Sequence, residues 1–292
     1  MNVTGCRRKG NGMGRARDAG SAIRTAVVGH VEWTSIARVA RVPERGEVVH
    51  ADVVWEGPAG GGAVAAVQMA ALAGGTTFFT ALGNDAAARR TEDTLGRLGV
   101  RVVAATRTEA TRGAVSLVDD TGERTTTTLG PRLQPSLDDA LPWSDLAHCD
   151  VVHFVAGAPE VLKQARQARV LTATLRELAA VAASGIRVDA LAGSAADPAE
   201  RYDPALLDTA PGLVVRTEGR QGGTYLEASG AAGRYRAAPA PGPEVDSYGM
   251  GDTFAAALAH ALGRTDLPAQ ALAAAAGHAA RCAATRGPYH LP

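Results

Sequence analysis

Asp246-Ser247-Tyr248-Gly249-Met250-Gly251-Asp252 runs directly into the apolar stretch Thr253-Phe254-Ala255-Ala256-Ala257-Leu258-Ala259. Two glycines one residue apart, then a carboxylate at the start of an Ala/Leu-rich helix, make a bare turn whose backbone N–H groups face outward at a helix N-terminus. Such a turn is a pocket for an anion. A carboxylate has little electrostatic reason to sit beside an anion unless it has a task there. Accepting a proton from a hydroxyl that attacks the anion's phosphorus is such a task. Read by itself, Asp252 could equally be the N-cap of a helix that closes at Gly263.

Working outward, the composition narrows the possibilities. A chain of 292 residues with balanced charge, 30 basic against 30 acidic, is large enough for one sizeable α/β core with an appendage. Zero formal charge gives no reason to expect a nucleic-acid or membrane partner, and no apolar run approaches the roughly 20 residues of a spanning helix. Cys6, Cys149 and Cys282 are far apart and leave one unpaired in any disulfide scheme, which fits a reducing cytoplasm. Residues 1–23 are basic and Gly-rich without a hydrophobic segment, and read as a disordered tail ahead of a folded domain at 24–292. A Walker-type Gly-x-x-x-x-Gly-Lys loop, a His-Glu-x-x-His pair and a Gly-x-Ser-x-Gly elbow are all missing, so a phosphate site here must be built from backbone.

The folded sequence opens with Thr25-Ala26-Val27-Val28, a short apolar run stopped by Gly29 that reads as a buried strand. Residues 35–55 alternate apolar with basic or small side chains around the turn Pro43-Glu44-Arg45-Gly46, the pattern of half-exposed strands over 36–42 and 48–55. Gly57-Pro58-Ala59-Gly60-Gly61-Gly62 reads as a loop ahead of a helix over 65–73, and its bare glycines allow close approach of a ligand or of a packed sheet. Ala114 to Val118, the turn Asp119-Asp120-Thr121-Gly122 and Glu123 to Leu129 form a hairpin. From Asp150 onward strands and helices alternate with short links, the mark of a parallel sheet covered on both faces, with helices read over 159–168 and 174–183.

The 246–252 pattern, Asp-Ser-x-Gly-x-Gly-Asp before a small-residue helix, resembles the signature of the ribokinase-like, PfkB-type carbohydrate kinases, with Met250 where Ala is usual. The resemblance extends in order over about residues 24 to 290. It implies an α/β, ribokinase-like fold: a central, mostly parallel sheet with helices on both faces plus a small β-sheet lid, here from about 34–57 and 106–130. It also implies ATP-dependent phosphorylation of a hydroxyl on a sugar or sugar-like molecule. Asp252 would act as base, with the N–H groups of Gly249, Met250 and Gly251 as the anion hole. Thr217, Gly219 and Gly222 match the family's Thr-x-Gly-x-x-Gly segment that contacts ATP. Gly60 and Gly61 match the Gly-Gly loop that touches the sugar. The family's Asn-x-x-Glu, which organises water on Mg²⁺, becomes Ser194-Ala195-Ala196-Asp197, so Asp197 inherits an indirect metal role, with Glu200 as a substitute.

Departures lie at the sugar end. Val64 stands where an Asn usually follows the Gly-Gly loop, and Asn-x-Asp after the first strand has become Glu32-Trp33-Thr34. Glu32 and Thr34, with His30 and Trp33, are the substituted substrate-side candidates, and ribose itself is disfavoured. ATP and Mg²⁺ are the implied cofactors, with a monovalent cation left open. A homodimer through the lid is the implied assembly. A nucleoside kinase on the same scaffold and a catalytically silent nucleotide- or sugar-binding regulator are the alternatives.

Overall fold

The computed structural model describes residues 23–265 and 267–289; nearly all of the expected tail at 1–23 lies outside the described residues. A nine-stranded sheet organises the molecule. Its strands are β1 (Thr25–Val28), β4 (Thr76–Gly83), β5 (Val100–Arg107), β8 (Val151–Phe154), β9 (Val170–Thr174), β10 (Ala190–Ser194), β11 (Leu213–Thr217), β12 (Gly223–Glu227) and β13 (Ala232–Tyr235). The spatial order is β13-β12-β11-β10-β9-β8-β1-β4-β5, parallel except for the hairpin β12–β13 at one edge. β1 is wholly buried and β4, Thr-Thr-Phe-Phe-Thr-Ala-Leu-Gly, nearly so, as continuous apolar strands covered on both faces must be.

Helices α1 (Gly60–Ala73), α2 (Ala86–Arg97), α5 (Met250–Leu262) and α6 (Pro268–Ala283) accompany the sheet, with short helices α3 (Pro159–Ala165) and α4 (Leu178–Ser184). Apolar clusters fill both faces of the sheet. One joins α1 and α2 to β1, β4 and β5, a second lies under α3 and α4, and a third joins β10 and β11 to α5 and α6. α1 is apolar on nearly every side, because it is wedged between the sheet and α5. α2 by contrast buries only Ala88, Thr91 and Leu95, and Asp85 caps it by accepting the Ala88 N–H at 2.8 Å.

A second, four-stranded sheet has the order β3-β2-β6-β7, from β2 (Glu32–Arg38), β3 (Asp52–Ala59), β6 (Gly113–Val118) and β7 (Arg124–Leu129). Glu32, Thr34 and Ile36 lie on its inner face with Ala114, Ser116 and Val118, and are buried. Ile36, Trp55 and Val118 pack there with Val64 and Tyr248.

Some boundaries differ from the sequence reading. β2 ends at Arg38 rather than running to 42, because its parallel partner β6 ends at Val118 before the 119–122 turn. The glycine segment is not a loop. β3 continues to Ala59 and α1 begins at Gly60, whose φ of 77° turns strand into helix in one step. Thr174 belongs to β9, and its hydroxyl accepts from Arg176 N at the head of a 3-10 turn that delays the following helix to Leu178.

β1 is flanked by β4 on one side and β8 on the other. The chain winds outward through β4 and β5, then returns to start the other half at β8. The crevice beyond the carboxyl ends of β1 and β8 is therefore the sheet's topological switch point, where ligands of such folds bind.

Candidate active site

Two glycine turns, far apart in sequence, meet at that crevice. The first is fixed from beneath by Asp246, a buried carboxylate that accepts the Tyr248 N–H at 2.8 Å and the Gly287 N–H at 3.2 Å. Gly249 then takes φ 78° as the N-cap of α5, and a Cβ there would lie 2.7 Å from Pro288 Cβ. Both constraints require glycine. Thr253 N–H to Gly249 O, at 2.8 Å, begins the helical ladder. Met250 N–H points at Ser247 O at 3.4 Å, whereas no acceptor among the described residues faces the N–H groups of Gly249, Gly251 and Asp252. Gly251 is exposed, with nothing within 4 Å of where its Cβ would be. The open donors are thus those of Gly249, Gly251 and Asp252, with Met250 partly engaged, at an uncapped helix N-terminus.

The second turn is the start of α1. A Cβ on Gly61 would lie 2.8 Å from Asp252 Oδ1 and 2.9 Å from Val155 Cγ1. Gly60 borders Glu32 and His30 in the same way, at 3.2 Å from Glu32 Cγ and from His30 Cδ2. Asp252 therefore sits between the N-termini of α5 and α1, with Glu32 and His30 on the far side of the glycines. Thr34 is fully buried on the inner lid face, and Trp33 points to the other face, where its indole N–H donates to Glu56 Oε1 at 2.6 Å under the Arg90 guanidinium.

Burial raises the Asp252 carboxyl to about 6; Arg124 opposes this, Glu200 adds to it, Arg176 opposes and Glu32 adds. Glu32 is also raised by burial, against the pull of Arg112 and Arg132, and pairs with Arg112 at 3.2 Å. His30 is pushed down to about 3 by burial and by Arg132, Arg112 and Arg176, so its ring is neutral at physiological pH. His30 Nδ1 and Arg112 Nε are buried without a hydrogen-bond partner. Unpaired buried polar atoms cost free energy, and these two lie on the Glu32 side of the glycines, where a polar ligand would be useful.

On the other side of the crevice, Thr217 ends β11 opposite Ser194 of β10, and its carbonyl accepts Ala195 N–H at 2.9 Å. Gly219, with φ 56°, opens a turn around which there is free space. Gly222, with φ 83°, lies against the Tyr235 carbonyl, so hairpin packing alone requires it. Asp197 caps the short turn at Pro198 by accepting Ala199 N–H at 2.9 Å and is ion-paired with Arg176. Glu200 accepts Ser194 N–H at 2.5 Å and pairs with Arg176 at 2.9 Å. Of the two acids, Glu200 is the one whose charge bears on Asp252.

The family model for pfkB family carbohydrate kinases matches residues 23–185, more than half of the chain. The chain belongs to this family. The matched span contains the Gly60-Gly61 turn, Glu32 and the lid, and ends before the 246–252 turn. No curated protein sequence matches the chain significantly. Among solved structures, the fold is similar to microbiome-derived acarbose kinase Mak1, with 23% identity, TM-score 0.78, and 92% of this chain and 95% of that one covered. It is also similar to Arabidopsis thaliana ribokinase complexed with ribose and ATP, with 21% identity, TM-score 0.69, and 91% and 94% covered. Adenosine kinase from Sinorhizobium meliloti aligns at 17% identity, TM-score 0.71, over 93% and 97%. The fold of this pfkB-family chain is ribokinase-like.

Four arginines of this family member escaped the sequence reading. Arg112, Arg132 and Arg176 ring the His30 side, paired with Glu32, Glu177 and the Asp197–Glu200 couple respectively. Arg124, at the start of β7, lays its guanidinium over the Tyr248 ring 4.8 Å from the centroid, and its charge reaches Asp252. In a chain with so many arginines, nothing in their spacing sets these four apart. Among the described residues no three His, Cys, Asp or Glu side chains cluster to hold a metal, and no helix is long and apolar enough to cross a membrane.

Proposed function

We propose that the protein transfers the γ-phosphoryl group of ATP to a hydroxyl of a sugar or sugar-like molecule. The reading rests on one observation above others: a proton-accepting carboxyl, raised to about 6, lies between unpaired helix N-terminal amides and the glycines that border Glu32 and His30. Asp252 takes the acceptor's proton as the oxygen attacks phosphorus, and the N–H groups of Gly249, Gly251 and Asp252, with Met250, hold the phosphoryl oxygens as charge redistributes. The nucleotide lies along Thr217 and Gly219. The acceptor lies over Gly60 and Gly61 beneath Glu32 and Thr34, where the ring of arginine–carboxylate pairs and the unpaired His30 Nδ1 favour a polar, hydroxyl-bearing ligand over an apolar alcohol. A ribokinase complexed with ribose and ATP and an acarbose kinase among the structural relatives support the same class.

Magnesium, when bound, would neutralise charge on the nucleotide phosphates. Asp197 and Glu200 both spend an oxygen on Arg176, so they suit an ion held by phosphates and water and touched indirectly, with Glu200 the acid whose charge bears on Asp252. The free thiols Cys149 and Cys282 accord with a cytoplasmic enzyme. We also propose a homodimer through the outer lid face, where Val53, Val115 and Leu129 are 63%, 38% and 55% exposed on one sheet. Sedimentation of Val115→Glu should then give a monomer where the wild type gives a dimer.

The deciding experiment is a panel of sugars, sugar analogues and nucleosides with Mg-ATP, scored by acceptor-dependent ADP release beside nucleotide binding. Release with a sugar-type acceptor supports the proposal. Nucleotide binding without any acceptor-dependent release refutes it in favour of a silent binding protein.

A further inference from the structure

The loop that follows α6 touches both halves of the site. Asp246 grips it through Gly287 N–H while holding the turn through Tyr248 N–H. The Cys282 thiol lies between the same two segments, its single S–H within reach of Tyr248 O at 3.5 Å and of Pro288 O at 3.4 Å. Val245 N–H to Ala283 O, at 2.7 Å, adds a backbone tie. Pro288 then packs on Gly249 itself.

One residue later the loop reaches the lid. The Tyr289 hydroxyl donates to Pro58 O, two residues before Gly60. Its ring meets Trp55 edge-to-face, with centroids 5.6 Å apart and planes at 87°, and Gly287 lies flat against the same indole. Because β3 passes into α1 without a loop, whatever holds Pro58 also sets Gly60 and Gly61, and Gly61 is the residue against which Asp252 rests.

We propose that residues 285–289 form a positioning strap, with Tyr289 its key residue, that fixes the anion turn relative to the hinge of the lid. The inference rests on the reading that the 249–252 amides receive a phosphoryl group, and it assigns a second role to a loop that contributes no catalytic residue. Motion of the lid strand β3 at Trp55 and Pro58 is carried through Tyr289 and Pro288 to Gly249, so the amides are in place when the lid is seated. The Asp246 carboxylate and Cys282 thiol keep the strap from detaching at the turn end, leaving the Tyr289–Pro58 bond as its weaker attachment.

Hydrogen exchange read by mass spectrometry on the free protein tests this without relying on turnover. In Tyr289→Phe, which keeps the ring and loses the hydroxyl, segments 57–63 and 246–253 should both exchange about two- to tenfold faster, the loss of one hydrogen bond. Segment 178–184 should be unchanged. The kcat of the variant should fall by a similar factor with the KM for ATP near wild type. Trp55→Phe, which trims the other contact, should loosen the same two segments and serves if Tyr289→Phe folds poorly. Faster exchange at 57–63 with wild-type exchange at 246–253 in these variants overturns the strap. If the wild type phosphorylates no acceptor, the proposed function fails while the exchange data still decide the coupling.

Discussion

Replacing Asp252 by Asn should make the protein more stable and nearly inactive, and the pH at which the stability gain appears follows from the site. The carboxyl has a value near 3.8 when solvated and about 6 in the folded protein, chiefly because burial disfavours its charge. A raised folded-state value means that this group's contribution is fully present below about 3.8 and is lost as pH rises through about 6. Two pH units and a fraction correspond to about 3 kcal/mol lost by the wild type at pH 7.5 and above. Asn is neutral and forgoes that loss. The neutral variant therefore gains about 3 kcal/mol at pH 8, the attraction of the α5 N-terminus for a carboxylate being already contained in the folded-state value. For a chain of this size that is roughly a 6 °C rise in melting temperature, shrinking to nothing below pH 4. Turnover should drop by about 10²–10⁴ in the same variant, with nucleotide binding retained. Differential scanning fluorimetry from pH 4 to 8, run beside an ADP-release assay, reads both. A variant less stable than wild type at pH 8 would mean that the carboxylate is held as a charge by its partners; retained turnover would remove it as the base.

Three further outcomes follow from the same geometry. The kcat/KM for the acceptor should fall about tenfold per pH unit below about 6, because the base must be ionised, and a flat profile from 5 to 8 would contradict that role. Gly61→Ala should cost at least about 10² in kcat, since its Cβ would displace the Asp252 carboxyl; Gly251→Ala, whose Cβ meets open space in the free protein, should fold as well as wild type yet turn over slowly if the proposed site is right, because the methyl then stands in the path of the phosphoryl group. Equal activity of both variants with wild type would move the reaction elsewhere. Arg124→Met should lower kcat about 10- to 100-fold with the melting temperature changed by less than about 1 °C, because the side chain is exposed and its charge is felt at the anion turn; a stability loss without a rate loss would make it a surface residue only.

Much of the architecture is local and therefore legible in the chain. Val151 to Phe154, Val170 to Thr174 and Leu213 to Thr217 are short apolar runs separated by helical segments, and that alternation has few solutions other than a covered parallel sheet. Gly249 and Gly251 announce a bare turn, because few other residues reach φ 78° or leave a helix start open. The ends of β2 and the onset of α4 were less legible, since the first depends on where a partner strand from another part of the chain stops, and the second on a threonine hydroxyl capping its own backbone.

The order of residues carries the alternation of strands and helices, the two glycine turns, the separated lid segments and an acid at the head of α5. It took the assembled fold to rest this acid against Gly61, to hang Arg124 of the lid over Tyr248, to occupy Asp197 and Glu200 with Arg176, and to tie the last loop to Pro58 through Tyr289. Turn chemistry and hydrophobic periodicity act between near neighbours along the chain, so they are written in order. Electrostatic partners and burial depend on which distant segments the sheet's switch point brings together, and these set the carboxyl near 6 rather than near 4.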